Sequence, residues 1–279
     1  MSTLLVSIDE LAAHPEWRVF DCRHDLQNTA YGRNAYAREH IPGALHLHLD
    51  DDLSGTKTGR NGRHPLPDPD AFAACMRRSG VGPATQVVAY DNEGSIFAAR
   101  LWWLLRWLGH EHVAVLDGGL AAWKRHKHAL TTDVPDVVPA DFSPRPRADM
   151  IADTAELLAQ VARGDNALCI IDARSPERFA GQNETLDPVG GHIPGARNHF
   201  YFDNLDESGS HFLPAAELRA EFSALLGEHQ ARQVVQQCGS GVTACHNLLA
   251  MELAGLHGSR LYPGSWSEWC ADPARPVAR

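Results

Sequence analysis

The chain has 279 residues, 44% hydrophobic and 22% charged, with a formal net charge of −10. That is the make-up of an ordinary globular protein with room for two domains. An acidic chain of this kind lacks the basic face of a general nucleic-acid binder, so no nucleic-acid partner is expected; a local basic pocket for a small anion stays open.

The segment Met1–Glu10 carries no basic region followed by an apolar core, so it does not read as a signal peptide. In chain order, Val19–Cys22 reads as a strand, Asp70–Arg78 as a helix, Val87–Asp91 as a strand, Ser95–Leu108 as a helix and Val113–Asp117 as a strand. The longest apolar stretch, Ile96–Leu108, is broken by Arg100 and Arg106 and is too short to cross a bilayer, so no membrane partner is expected. Thr132–Arg147 carries Pro135, Pro139, Pro144 and Pro146 without a helical period and reads as a linker. Beyond it, Ala155–Arg163, Ala216–Leu226 and Ala244–Leu253 read as helices, and Ala167–Asp172, Gln233–Cys238 and Arg260–Tyr262 as strands. Strands alternating with helices predict an α/β fold, a parallel sheet with helices on both faces. Such sheets bind ligands at the C-terminal edge of their strands.

The chain repeats itself once. His40-Ile41-Pro42-Gly43-Ala44 returns as His192-Ile193-Pro194-Gly195-Ala196, and Asp21-Cys22-Arg23 returns as Asp172-Ala173-Arg174. The strand Val87–Asp91 matches Val234–Cys238, and Trp123 matches Trp269. Four elements in order at nearly constant offset mean two copies of one domain, each of a normal size of about 130–140 residues. The expected division is 1–131, a linker at 132–148, and 149–279.

Six cysteines, at 22, 75, 169, 238, 245 and 270, form no CxxC pair. They read as reduced thiols of a reducing, cytoplasmic compartment, with no zinc site, no other metal and no cofactor called for. One of them stands apart. Val234-Val235-Gln236-Gln237 reads as a buried strand that delivers Cys238 to a loop of small residues, Gly239-Ser240-Gly241-Val242-Thr243, and then to a helix. Small side chains let backbone N–H groups converge, and a helix N-terminus adds partial positive charge, so an exposed thiolate is favoured there. A buried structural cysteine rarely needs a glycine-rich loop after it. At the matching place the first copy holds Asp91, which cannot act as a sulfur nucleophile.

The run Cys238–Thr243 resembles the active-site loop of the rhodanese family of sulfurtransferases, in particular its 3-mercaptopyruvate branch; the thiosulfate branch usually has basic residues where this chain has Gly239 and Ser240. The resemblance spans nearly the whole chain, with the His-Ile-Pro-Gly-Ala turns as its second marker. It implies two rhodanese-like domains, the first catalytically silent. It also implies transfer of sulfane sulfur from a small anionic donor, 3-mercaptopyruvate, through a Cys238 persulfide held by the backbone of Gly239 to Thr243. Cyanide, a small thiol or a reduced thioredoxin-like protein would be the acceptor. Ser240, His64 and Asp52 match a proton relay, with Asp50 and Asp51 as rivals for the acid. His64 would then reach the loop from the first domain across a cleft, and Thr56–Arg63 reads as an extra loop. Arg178 matches the arginine that holds the donor; a second arginine usual shortly before the turn motif is missing from Glu184-Thr185-Leu186-Asp187-Pro188. Arg174, His40 and His192 read as structural. Thiosulfate:cyanide transfer and a non-enzymatic sulfur carrier are the alternatives. A cysteine phosphatase would need an arginine six positions after the cysteine, where this chain has Ala244.

Overall fold

The computed structural model describes residues 3–279; Met1 and Ser2, the start of the segment weighed as a leader, lie outside the described residues. Two compact units form, and neither is a contiguous stretch of chain. One runs to Gly55, resumes over Leu66–Arg147 and takes in Asp206–Phe212; the other consists of Thr56–Pro65, Ala148–Leu205 and Leu213–Arg279.

The first unit contains β1 (Leu5–Val6), α1 (Ile8–Ala13), β2 (Arg18–Asp21), α2 (Tyr31–Arg38), β3 (Leu45–His46), α3 (Pro69–Arg78), β4 (Val87–Tyr90), α4 (Ile96–Trp107), β5 (Val113–Leu116) and α5 (Gly119–Arg125). Its strands pair in parallel in the order β1-β5-β4-β2-β3. The second contains α6 (Thr154–Arg163), β6 (Cys169–Asp172), α7 (Pro176–Phe179), β7 (Arg197–Asn198), α8 (Ala215–Leu226), β8 (Val234–Gln237), α9 (Thr243–Leu253), β9 (Arg260–Leu261) and α10 (Ser265–Trp269). Its order is β7-β6-β8-β9, again parallel, with Ile151 bridging to Leu261 beside β9. The repeat holds in the register: Phe20 pairs with Leu45 as Ile171 pairs with Arg197, and Leu5 with Val115 as Ile151 with Leu261.

Local chemistry explains the boundaries. Asp68 caps α3 by accepting from Ala71 N at 2.9 Å, with Pro69 in the first turn. Asp153 caps α6 by accepting from Glu156 N at 2.8 Å, and Gly164 ends it in the left-handed region. The interior strands β2, β4 and β5 of the first sheet and β6 and β8 of the second are buried along almost their whole length, as parallel strands covered on two faces must be. One face of the first sheet packs Val88, Tyr90 and Leu116 with Ile8, Leu11 and Trp123. The second packs Ile170 and Val235 with Leu157, Trp266 and Trp269. In α4 every residue but Arg106 is buried, the mark of a core helix.

The linker is not a free tether. Arg145 N and Arg147 N donate to Leu108 O and Trp107 O, each at 2.9 Å, and Phe142 is buried. Three two-residue strands and the short helices α1, α2, α5, α7 and α10 were not anticipated, because elements this brief show no period. Among the described residues no helix is long and apolar enough to cross a membrane.

Candidate active site

Strand β8 ends at Gln237, and Cys238 begins the loop at its C-terminal edge. Helix α10 clamps the backbone there. Trp266 N and Ser267 N donate to the carbonyls of Cys238 and Gly239, both at 2.9 Å. Cys238 N donates to Ser265 Oγ at 3.1 Å. With the carbonyls drawn toward α10, Gly241 N donates to Cys238 Sγ at 3.1 Å. Gly241 has φ +79°, and a methyl group placed on it would fall 2.4 Å from Pro263 O, so only glycine fits. Val242 precedes α9 without a side-chain cap, and Thr243 is its first residue. Cys245 Sγ donates to Gly241 O at 3.3 Å, supporting the loop from below. Cys238 is only 2% exposed. The sulfur therefore lies on the floor of the loop, whereas the sequence suggested an exposed thiolate.

The first unit shows the same loop already filled. Asp91 Oδ1 accepts from Glu93 N and Ser95 N, both at 2.9 Å, and Oδ2 from Phe97 N at 2.8 Å and Ala98 N at 3.0 Å. Burial pushes its carboxyl up, against four amides that favour the anion. Gly94, the counterpart of Gly241, has φ +68°. Here the chain's own carboxylate occupies an anion seat made of backbone N–H groups.

His64 and Ser240 meet. His64 Nδ1 lies 2.7 Å from Ser240 Oγ, with both residues buried. The loop that holds His64, 56–65, packs with the second unit, while the chain on either side of it belongs to the first. Gly62, at φ +83°, packs so that a methyl group on it would lie 2.8 Å from Gly264 O. Arg63 N donates to Ser267 Oγ at 3.0 Å. Loop 56–65 is thus a strap laid on the segment that also clamps the cysteine. Asp52 belongs to the first unit, where its carboxylate accepts from His48 N at 2.8 Å and stands 3.9 Å from Cys75 Sγ. Burial and the nearby Asp52 push the Cys75 thiol up to about 11. The rival acids lie in that unit too: Asp50 is 3.8 Å from His24 Nε2, and Asp51 pairs with Arg33.

Arg178 is held by acids. Its Nε and Nη2 donate to Glu184 at 3.0 and 2.9 Å, and Nη2 also reaches Asp187 at 3.4 Å. Asp187 in turn pairs with Arg63 Nη1. Burial pushes the carboxyl of Asp187 up, while that of Glu184, opposed by burial, is held below its usual value by Arg178 and backbone amides. Arg63 went unnoticed in the sequence, where only its place beside His64 could have drawn attention. The neutral Gly239-Ser240 loop therefore has guanidinium groups beside it, brought from other segments together with their acid partners. Arg174 forms its ion pair with Asp172 at 2.6 Å, and His40 and His192 each bond a backbone carbonyl, as structural residues should.

Residues 6–126 and 153–272 both match the sequence profile of the rhodanese-like domain. The chain is 48% identical over 99% of its length, and 98% of the relative's, to a Pseudomonas aeruginosa protein named "Probable 3-mercaptopyruvate sulfurtransferase". It is 32% identical to the thiosulfate sulfurtransferase of Cricetulus griseus over 95% of this chain and 89% of that one. The solved structure of a 3-mercaptopyruvate sulfurtransferase from Leishmania major superposes with a TM-score of 0.84 at 31% identity, covering 96% of this chain and 74% of that one.

Proposed function

Because the chain belongs to the rhodanese family of sulfurtransferases, we propose that it takes sulfur from 3-mercaptopyruvate and passes it, through a Cys238 persulfide, to cyanide or a thiol. The Cys238 thiolate attacks the donor sulfur and an S–S bond forms. The C3–S bond breaks, its electron pair enters the enolate of pyruvate, and the enolate gains a proton. Cyanide then attacks the outer sulfur; a C–S bond forms and the thiolate leaves, completing a double displacement. Ser240 and His64 carry the proton from the donor thiol to the enolate. Asp52 is proposed as the acid of that relay, and Arg178 as the group that holds the donor carboxylate.

The observation that carries this reading is the Asp91 seat. A persulfide places its outer sulfur two bonds beyond Cβ, as a carboxylate places its oxygens. The amides that fix Asp91 in one copy thus outline how the matching loop would hold a Cys238 persulfide anion. By the same token Asp91 leaves the first copy catalytically silent, its anion seat taken. The six buried cysteines, which form no disulfide, fit a reducing cytoplasm, with a small thiol or a reduced thioredoxin-like protein as natural acceptor.

Two measurements test the proposal. Donor treatment without acceptor should add one sulfur atom to the Cys238 peptide by mass, and Cys238→Ser should abolish it. A higher kcat/KM for 3-mercaptopyruvate than for thiosulfate should follow; the reverse ranking would make this a thiosulfate:cyanide sulfurtransferase. Stoichiometric sulfur loading without turnover would make it a carrier.

A further inference from the structure

Three side chains that can ligate a metal meet at the C-terminal edge of the first sheet, where sheets of this class bind ligands. Strands β2 and β3 are neighbours, with Phe20 beside Leu45 and Asp21 beside His46. His24 follows the end of β2, and His48 and Asp50 follow the end of β3. One ring nitrogen from each histidine and one Asp50 oxygen all lie within 4.8 Å of one another. His24 is 1% exposed, its ring edge-on to Phe97, and neither of its nitrogens has a hydrogen-bond partner. A buried imidazole is rarely left so. Its Nε2 stands 3.8 Å from Asp50 Oδ2, too far for a hydrogen bond. Two arms of about 2.0–2.2 Å to a single cation span that gap, and a small inward shift brings in His48. The His48 ring has an oxygen on either side: Thr29 O lies 2.8 Å from Nε2, and Asp51 Oδ2 lies 3.2 Å from Nδ1. Whichever nitrogen takes a metal, the other can donate to an oxygen, the usual outer partner of a metal-bound histidine.

The trio is no part of the scaffold that the two copies share. The Asp21–Arg23 ion pair recurs as Asp172–Arg174. By the register of the repeat, however, His24, His48 and Asp50 correspond to Ser175, Phe200 and Phe202. We propose that His24, His48 and Asp50 form a binding site for a divalent transition-metal ion, of which Zn²⁺ is the type. Two imidazoles and one carboxylate suit such an ion better than Mg²⁺ or Ca²⁺, which prefer oxygen ligands throughout. Three protein ligands leave a position for water. The Asp50 side chain, 19% exposed, gives the ion a way in. Bound there, it ties the end of β2 to the turn after β3, which Asp52 N and Leu53 N close by donating to His48 O at 2.9 and 3.2 Å. The sequence shows no zinc spacing because strand pairing, rather than proximity along the chain, gathers these ligands. The site stands apart from the Cys238 chemistry and from the choice of sulfur donor.

The test uses the untagged, chelator-treated full chain carrying Cys238→Ser, His126→Asn and His128→Asn. These changes remove the nucleophilic thiol and the exposed trio of Asp9, His126 and His128 as rival zinc sites. Titration calorimetry should show one equivalent of Zn²⁺ bound, and saturating Zn²⁺ should raise the melting temperature; Mg²⁺ should do neither. His24→Gln and Asp50→Asn, added singly, should each weaken Zn²⁺ binding by at least about 100-fold, since even the outer partners of metal ligands are worth about 10–100-fold. Without metal, both variants should keep the far-UV circular dichroism of the parent. If His24→Gln does not fold, Asp50→Asn decides, because it alters a partly exposed side chain. No Zn²⁺ uptake by the background chain, an equal response to Mg²⁺, or Zn²⁺ uptake undiminished in Asp50→Asn would overturn the site.

Discussion

His64 Nδ1 stands 2.7 Å from Ser240 Oγ, the contact on which the proposed proton relay rests. His64→Ala and Ser240→Ala should each depress mercaptopyruvate turnover by up to about 10²–10⁴-fold, because the donor thiol must lose a proton and the enolate must gain one. Thiosulfate needs neither step and should be little affected. The double variant should be scarcely worse than either single one, as for groups acting as a unit. Steady-state kinetics with both donors checks this. Asp52→Asn should lower mercaptopyruvate turnover as well; if it does not and Asp50→Asn does, the acid of the relay is Asp50. A second buried histidine, His24, bears on acid stability in the metal-free protein. Burial, helped by the neighbouring His48, lowers His24 from 6.5 to about 4, outweighing Asp50 and Asp25, which favour the cation. Neither of its ring nitrogens has a hydrogen-bond partner. The unfolded chain binds this proton near pH 6.5 and the folded chain only near pH 4. Its contribution to stability is therefore whole above pH 6.5 and is lost progressively as pH falls toward 4. Melting temperatures measured across that window should fall less steeply in His24→Gln than in the unaltered protein; parallel curves would remove His24 from the account.

At the level of elements, the Cys238 loop depends on two pieces with weak sequence signals. Helix α10 has five residues, too few to show a helical period, yet its first amides turn the carbonyls of Cys238 and Gly239. Within the strap 56–65, Thr56–Arg63 looked like an extra loop because the chain departs there from the family's usual spacing. It is ordered by contacts distant in sequence, from Gly62 to Gly264 and from Arg63 to Ser267. By contrast, β8, the loop and α9 were legible in order, since an apolar strand, small residues and an apolar helix each leave a local pattern. Gly241→Ala tests how tightly the loop is fitted. The new methyl group would meet Pro263 O at 2.4 Å and force a residue other than glycine to φ +79°. Transfer activity should fall sharply, with a stability loss of at least about 1 kcal/mol in chemical denaturation. An active, equally stable variant would show that the loop can relax.

Across the whole chain, the repeat gives two sheets of matching parallel order; Asp91 accepts from the amides of its loop, and at the matching place Gly241 N donates to Cys238 Sγ. The connecting segment makes a further prediction. Val134 and Val138 are 67% and 84% exposed, whereas residues 140–147 are bonded to the first unit through Ala140, Arg145 and Arg147. Limited proteolysis followed by mass spectrometry should cut within 133–139 and spare 140–147. Uniform cutting through the whole stretch would contradict the docked linker. Residue types and their periodicity were enough to determine the duplication, the α/β class and the place of Cys238 and its loop between a strand end and a helix. All of these rest on patterns a few residues long, and local patterns survive in a one-dimensional reading. The course of the strap, the pairing of Arg63 with Asp187, the seating of Asp52 against His48 and the burial of Cys238 were decided by the tertiary structure alone. Each depends on side chains brought together from distant positions, or on how much solvent the packed chain excludes, and neither quantity is written in local sequence.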